Sequence, residues 1–164
     1  MTMSLVSTVT VGSGGASSIQ WTSIPQSGKD LLILLSARAA SSALRNDVGV
    51  SFNGVTTNRT YRSLYGNGTN VFGSNGGQIS TFAGATAANA TASVFSSVSI
   101  YISNYSDIVL KTLSLEAVTE DINNEGWQEV LAGSWQGGAI NQVTLTPTGS
   151  TFVQYSTASL YIIS

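Results

Sequence analysis

Apolar and polar residues alternate with a period of two along most of the chain. In Met3 to Val11, positions 3, 5, 9 and 11 are apolar while 4, 8 and 10 are Ser or Thr, the pattern of a half-buried strand. Ile19 and Trp21 share one face of a second strand that ends at Ile24-Pro25. Residues 30–38 open with an unbroken apolar run, Leu31 to Leu35, and predict a strand covered on both faces. Val48, Val50 and Phe52 alternate with Gly49 and Ser51, and the Asn53-Gly54 that follows is a strong hairpin signal. Thr60 to Tyr65 is a further short strand, followed by a loop from Gly66 to Gly77. Further strands are expected over residues 94–102, 108–118, 127–135, 139–145 and 152–163. The Ala-rich stretch 83–92 is too short and too rich in Thr and Gly for a helix.

About eight to ten short strands at regular spacing, with no alternating helices, predict an all-β antiparallel sandwich of jelly-roll type in one domain over residues 1–164, a closed barrel being the alternative. Residues 1–11 are expected to form either an N-terminal arm or an edge strand. Met3, Leu5, Val9 and Val11 would then carry subunit contacts, by adding a strand to a neighbour's sheet.

Composition narrows the chemistry. Only 9% of residues are charged, and Ser, Thr, Asn, Gln and Gly hold nearly half the chain. With no Cys and no His, thiol nucleophiles, His-based triads and Cys/His zinc sites are excluded. A net charge of −2 with six Lys+Arg argues against nucleic acid as a partner. Residues 1–28 hold no Lys or Arg, so no signal peptide is expected, and no apolar run approaches the roughly 20 residues of a membrane helix. The expectation is a protein made in a cytoplasm, without membrane insertion.

Charge is unevenly placed. Lys29, Arg38, Arg45, Arg59 and Arg62 with Asp30 and Asp47 give +3, whereas residues 107–129 hold six carboxylates against Lys111 and give −5. Complementary surfaces that set the register between subunits are one consequence, with Arg38, Arg45, Arg59 and Arg62 as interface residues. Glu116 and Glu120 lie about 13 Å apart on a regular strand, too far for a glycosidase pair unless a cross-strand group such as Glu129 closes the gap. Asp121, Asn123 and Glu125 alternate as oxygen ligands and form a weak Ca²⁺ candidate that lacks the glycine and distal Glu of an EF-hand loop. No cofactor is expected. Tyr61, Tyr65, Trp127 and Trp135 border Gly/Asn loops and are candidates for a shallow glycan-stacking platform.

The order of short motifs adds a family likeness. Phe52-Asn53-Gly54, Asn58, Tyr61 and Leu64-Tyr65-Gly66-Asn67-Gly68 are followed by Ile102-Ser103-Asn104-Tyr105, Gly133-Ser134-Trp135 and the terminal Ser159-Leu160-Tyr161-Ile162-Ile163. This order, over about 48–163, resembles small β-rich virion structural proteins of tailed bacteriophages. Arg59 and Thr60 interrupt the usual Asn-Tyr pair, and Ile162 stands at the usual terminal glycine. The resemblance implies a non-enzymatic protein of the virion. The leading expectation is a capsid decoration (cement) protein, a homo-oligomer with a trimer favoured, bound to the major capsid protein on the outer head surface. The alternative is a carbohydrate-binding tail-fibre module that recognises a host glycan.

Overall fold

Twelve strands and no helix are present among the residues that the computed structural model describes, 2–76, 81–120 and 126–164. They are β1 (Met3–Thr10), β2 (Ile19–Trp21), β3 (Asp30–Ser36), β4 (Arg45–Phe52), β5 (Arg59–Gly66), β6 (Val71–Gly76), β7 (Thr81–Thr86), β8 (Ser97–Ile102), β9 (Lys111–Glu120), β10 (Gly126–Trp135), β11 (Val143–Pro147) and β12 (Thr157–Ile163). Eight form one sheet in the order β1-β12-β3-β8-β9-β10-β5-β6, and four form a second in the order β2-β11-β4-β7. Every pairing between neighbouring strands is antiparallel. The result is an all-β sandwich of two separate ladders rather than a closed barrel.

The alternation of the sequence decides which side of each strand enters the core. Leu31, Ile33 and Leu35 of β3, Ile100 and Ile102 of β8, Leu113 and Leu115 of β9, and Leu160 of β12 point inward from the large sheet. They meet Trp21, Val48, Val50, Phe52, Val143 and Leu145 from the small one in a single buried cluster. Each such side chain contributes about 1.5–3 kcal/mol on leaving water. Strand β7 presents Ala83 and Ala85, and these small side chains let it pack against β9 at the margin of the small sheet.

Several sequence expectations change. β6 lies within the stretch expected to be a loop, because its Gly, Ser and Asn residues carry little strand signal and pairing with β5 holds it. β7 occupies the start of the Ala-rich stretch, and the rest of that stretch is turn, without helix. Asn53 and Gly54 do make a left-handed turn (φ 52° and 73°), yet no β4–β5 hairpin follows. The Asn53 amide is latched to the 139–142 segment instead, donating to Ala139 (2.8 Å) and accepting from Asn141 and Gln142, and the chain crosses into the other sheet. The first residues form the edge strand β1, paired along its length with β12, rather than a detached arm. Finally, β3 is covered on one face only: Leu34 is 42% exposed and Leu32 half-buried, both on the outer surface of the large sheet.

Candidate functional site

The large sheet supplies two surfaces with chemistry of their own. The first is the outer face. One register row crosses all eight strands: Gly73, Leu64, Val130, Glu116, Ser99, Leu34, Ser159 and Thr8. Leu64 (58% exposed) and Val130 (50%) stand side by side in it between Gly73 and Glu116, and Leu34 stands between Ser99 and Ser159. A trough of about 740 Å³ runs over β5, β6, β8, β9 and β10, with Leu64 and Val130 among its walls and Gly73, Ser99, Ser114 and Ala132 at its base. Arg62 and Glu116 are the charged side chains that line it.

The second surface is aromatic. Tyr65 on β5, Phe72 on β6 and Trp127 on β10 stand on the inner side of the large sheet, towards the ends of the β5–β6 and β9–β10 pairs. The Tyr65 centroid lies 5.4 Å from Phe72 and 5.5 Å from Trp127, and the three ring planes diverge by only 15–24°. Phe72 is exposed and the other two rings are half-buried. The Asn67 carboxamide shapes the adjacent turn by accepting from the Asn70 amide (2.9 Å). Of the four residues expected to form a glycan platform, two therefore meet here. Phe72 was missed, because its strand carried no periodic signal.

The other two are placed elsewhere. Trp135, 2% exposed, packs against Phe52 (5.4 Å) and beneath the Lys111 ammonium, so no ligand can stack on it. Tyr61 is pinned at the edge of the core, with its ring against the backbone of Gly76 and its hydroxyl bonded to Ser74 (3.2 Å).

The basic residues expected at an interface act mostly within the chain. Arg59 is 2% exposed and donates to the carbonyls of Val50 and Val55, fastening β5 to the small sheet. Burial pushes its pKa down to about 10. Arg38 gathers the carbonyls of Ala88, Ala90, Thr91 and Val94, closing the loop after β7. Arg45 bridges Asp47 (2.9 Å) and Glu129 (2.7 Å), and Lys29 meets Asp107 at 3.2 Å. The basic and acidic segments thus meet one another inside one molecule, which removes the reason to expect them as matching surfaces of two. Arg62 is the exposed member, bonded to the carbonyl of its neighbour Tyr61. Val11 is buried and Val9 half-buried, whereas Met3 and Leu5 remain on the surface.

One cation was not foreseen. Lys111 sits on an inward position of β9, and its ammonium lies within 2.6–2.9 Å of the carbonyls of Asp107, Val109, Gly137 and Gly138. Desolvation lowers its pKa, and Asp107 opposes that shift. The carboxylates do not assemble. Glu116 is on the outer face, Glu129 on the inner one, and Glu120 accepts from the amide and hydroxyl of Thr91. Asp121, Asn123 and Glu125 lie outside the described residues. Among those described, no three Asp or Glu carboxylates stand close enough to share a metal ion.

Searches against protein-family models, curated proteins and solved structures return no match for this chain.

Proposed function

We propose that this chain is a non-enzymatic structural subunit of a tailed-phage virion, of the capsid-decoration type. The observation that carries the reading is the outer face of the large sheet, with Leu34, Leu64 and Val130 in one register row and, among the described residues, no second layer over them. Such a face is costly to leave in water and gains by lying on another protein surface. Strand order supports the same reading. Without the β5–β6 and β9–β10 pairs, the remaining strands run β1-β12-β3-β8 in one sheet and β2-β11-β4-β7 in the other. We read this as a jelly roll, an architecture common in capsid proteins, with two inserted strand pairs widening one sheet. The motif resemblance points the same way.

Immunogold electron microscopy of the source particle, with antibody against this chain, tests the proposal. Gold over the head supports decoration, and gold confined to the tail removes it. No label at all on intact or disrupted particles removes the virion reading altogether.

A second reading rests on the Tyr65–Phe72–Trp127 cluster. Near-parallel aromatic faces beside neutral polar groups suit the apolar face of a sugar ring, as in a tail-borne receptor-binding module. It predicts glycan binding that Trp127→Ala or Phe72→Ala abolishes while the fold persists. A flat glycan array, together with unshifted NMR resonances of these rings at millimolar sugar, sinks it.

A further inference from the structure

The two sheets end in four edge strands, and they are not alike. β2 has three residues and runs on to Ser23, in a left-handed conformation, and then Ile24-Pro25. β7 packs against β9, and its Thr86 carbonyl accepts from Ala39 (2.8 Å). β6 has two glycines and an asparagine among its six residues. Each is short, covered or poor in strand-forming residues, the ordinary protections of a sheet margin.

β1 is not short, covered or poor in strand-forming residues, and its one irregularity is the register shift between Leu5 and Ser7. It is eight residues long, rich in Val and Thr, and lies in a stretch whose first proline is Pro25 and whose first charged side chain is Lys29. Its hydrogen-bonding directions follow from its ends. Thr2 and Ser164 exchange both backbone bonds (2.7 and 2.9 Å), and Val11 bonds to Ser156 and Tyr155 (2.9 and 3.0 Å). Alternation from those two points, with the register shift between Leu5 and Ser7, turns Ser4, Ser7 and Val9 towards β12. The N–H and C=O groups of Met3, Leu5, Thr8 and Thr10 then point away from the sheet.

We propose that β1 pairs antiparallel with β1 of a second copy of this chain, joining two large sheets into one continuous sheet across a two-fold axis. Self-pairing fits this strand because it carries no charge, so an antiparallel copy brings no like charges together. It also keeps Met3 and Leu5 of both copies on one outer surface, extending the apolar face of each sheet across the junction. An isologous contact of this kind closes at two chains. It is independent of the virion reading and replaces the trimer expectation with a dimer.

The test is mass measurement by light scattering from 5 to 200 µM on the full chain, with Thr8→Pro and Thr8→Lys compared. Thr8→Pro removes an outward N–H and leaves the backbone bonds to β12 in place, losing only the exposed hydroxyl contact of Thr8 with Ser159 (2.7 Å), which Thr8→Lys loses as well. Thr8→Lys keeps the backbone and sets like charges near the two-fold axis. The expected result is twice the 17.0 kDa chain mass for the wild type. Both variants should move the dimer–monomer midpoint upward by at least tenfold in concentration, with unchanged far-UV circular dichroism. If Thr8→Pro misfolds, Thr8→Lys alone decides. Because the chain has no cysteine, Cys variants at Ser4, Leu5, Ser7 and Thr8 add a direct readout. Oxidative cross-linking at one or more of them, and none at Ser74→Cys, supports the pairing. A wild type monomeric at 200 µM, a trimer, or an oligomer indifferent to both Thr8 variants overturns it.

Discussion

Arg45 and Glu129 are held together where the two sheets approach, with the arginine side chain lying across Gly84 of β7. Desolvation raises the Glu129 pKa; Arg45 opposes the shift and Asp47 adds to it. A carboxyl raised in the folded state binds its proton more tightly there than in the unfolded chain. Its contribution is therefore most favourable below the ordinary value of 4.5 and declines as pH rises through the folded value. Glu129→Gln should flatten that part of the stability-versus-pH curve, measured by urea unfolding between pH 4 and 8. Arg45→Ala should cost about 3–5 kcal/mol at pH 7, because it leaves a nearly buried carboxylate without its main cation, and adding Glu129→Gln should recover most of the loss. At Lys111 the expectation is also a large cost. Lys111→Met leaves four carbonyls without their shared donor, and thermal unfolding should show a loss of about 3–5 kcal/mol despite the similar side-chain volume.

At the scale of elements, strands with strict alternation were legible in the sequence. β9 and β12 end within two residues of the stretches expected at 108–118 and 152–163 but begin three and five residues later; over their length one face of each meets the core. β6 was not legible, since its pairing with β5 comes from the hairpin and not from its own residues. The aromatic residues show the same limit. Trp127 and Trp135 are eight residues apart on one face of β10, so alternation treats them alike. Only the extent of the packing beneath β10 separates them: Phe52 of β4 reaches Trp135, and Trp127 stays half-buried with Tyr65. Arg59 was misplaced for a related reason, because a cation beside a Gly/Asn loop reads as solvated unless its carbonyl partners are known. Two outcomes follow. Trp135→Ala should cost about 3–5 kcal/mol and Trp127→Ala much less, by denaturant unfolding. Gly137→Ala should also destabilise strongly, since a Cβ there would stand 2.1 Å from the Trp135 ring; a melting temperature equal to wild type would contradict the packing described.

For the whole molecule, the informative mismatch concerns β3. Its unbroken apolar run predicts cover on both faces, and the fold supplies cover on one. Leu32 and Leu34 are therefore left partly in water on the outer face. Leu34→Ser and Val130→Ser should change the unfolding free energy by less than about 1 kcal/mol, since both side chains are already half in water. Under the decoration reading, the same variants should weaken saturation of purified heads at least tenfold in a co-sedimentation assay. Unchanged saturation would place the docking surface elsewhere.

The pairing of β1 with β12 also has a consequence in time. Strand β3 has β12 on one side and β8 on the other, so the ladder around it stays open until residues 157–163 have left the ribosome. Until then β1 has no partner among the described strands, and its apolar residues wait while residues 11–156 are made. Contacts so distant in sequence are slow to form because the loop they close is long. Newly made chains thus pass through an interval in which an uncharged, unmatched strand is available to any other chain nearby. The same strand that serves a finished sheet as its margin is, during that interval, the segment most exposed to mispairing, and slower synthesis or a higher local concentration of nascent chains lengthens the risk.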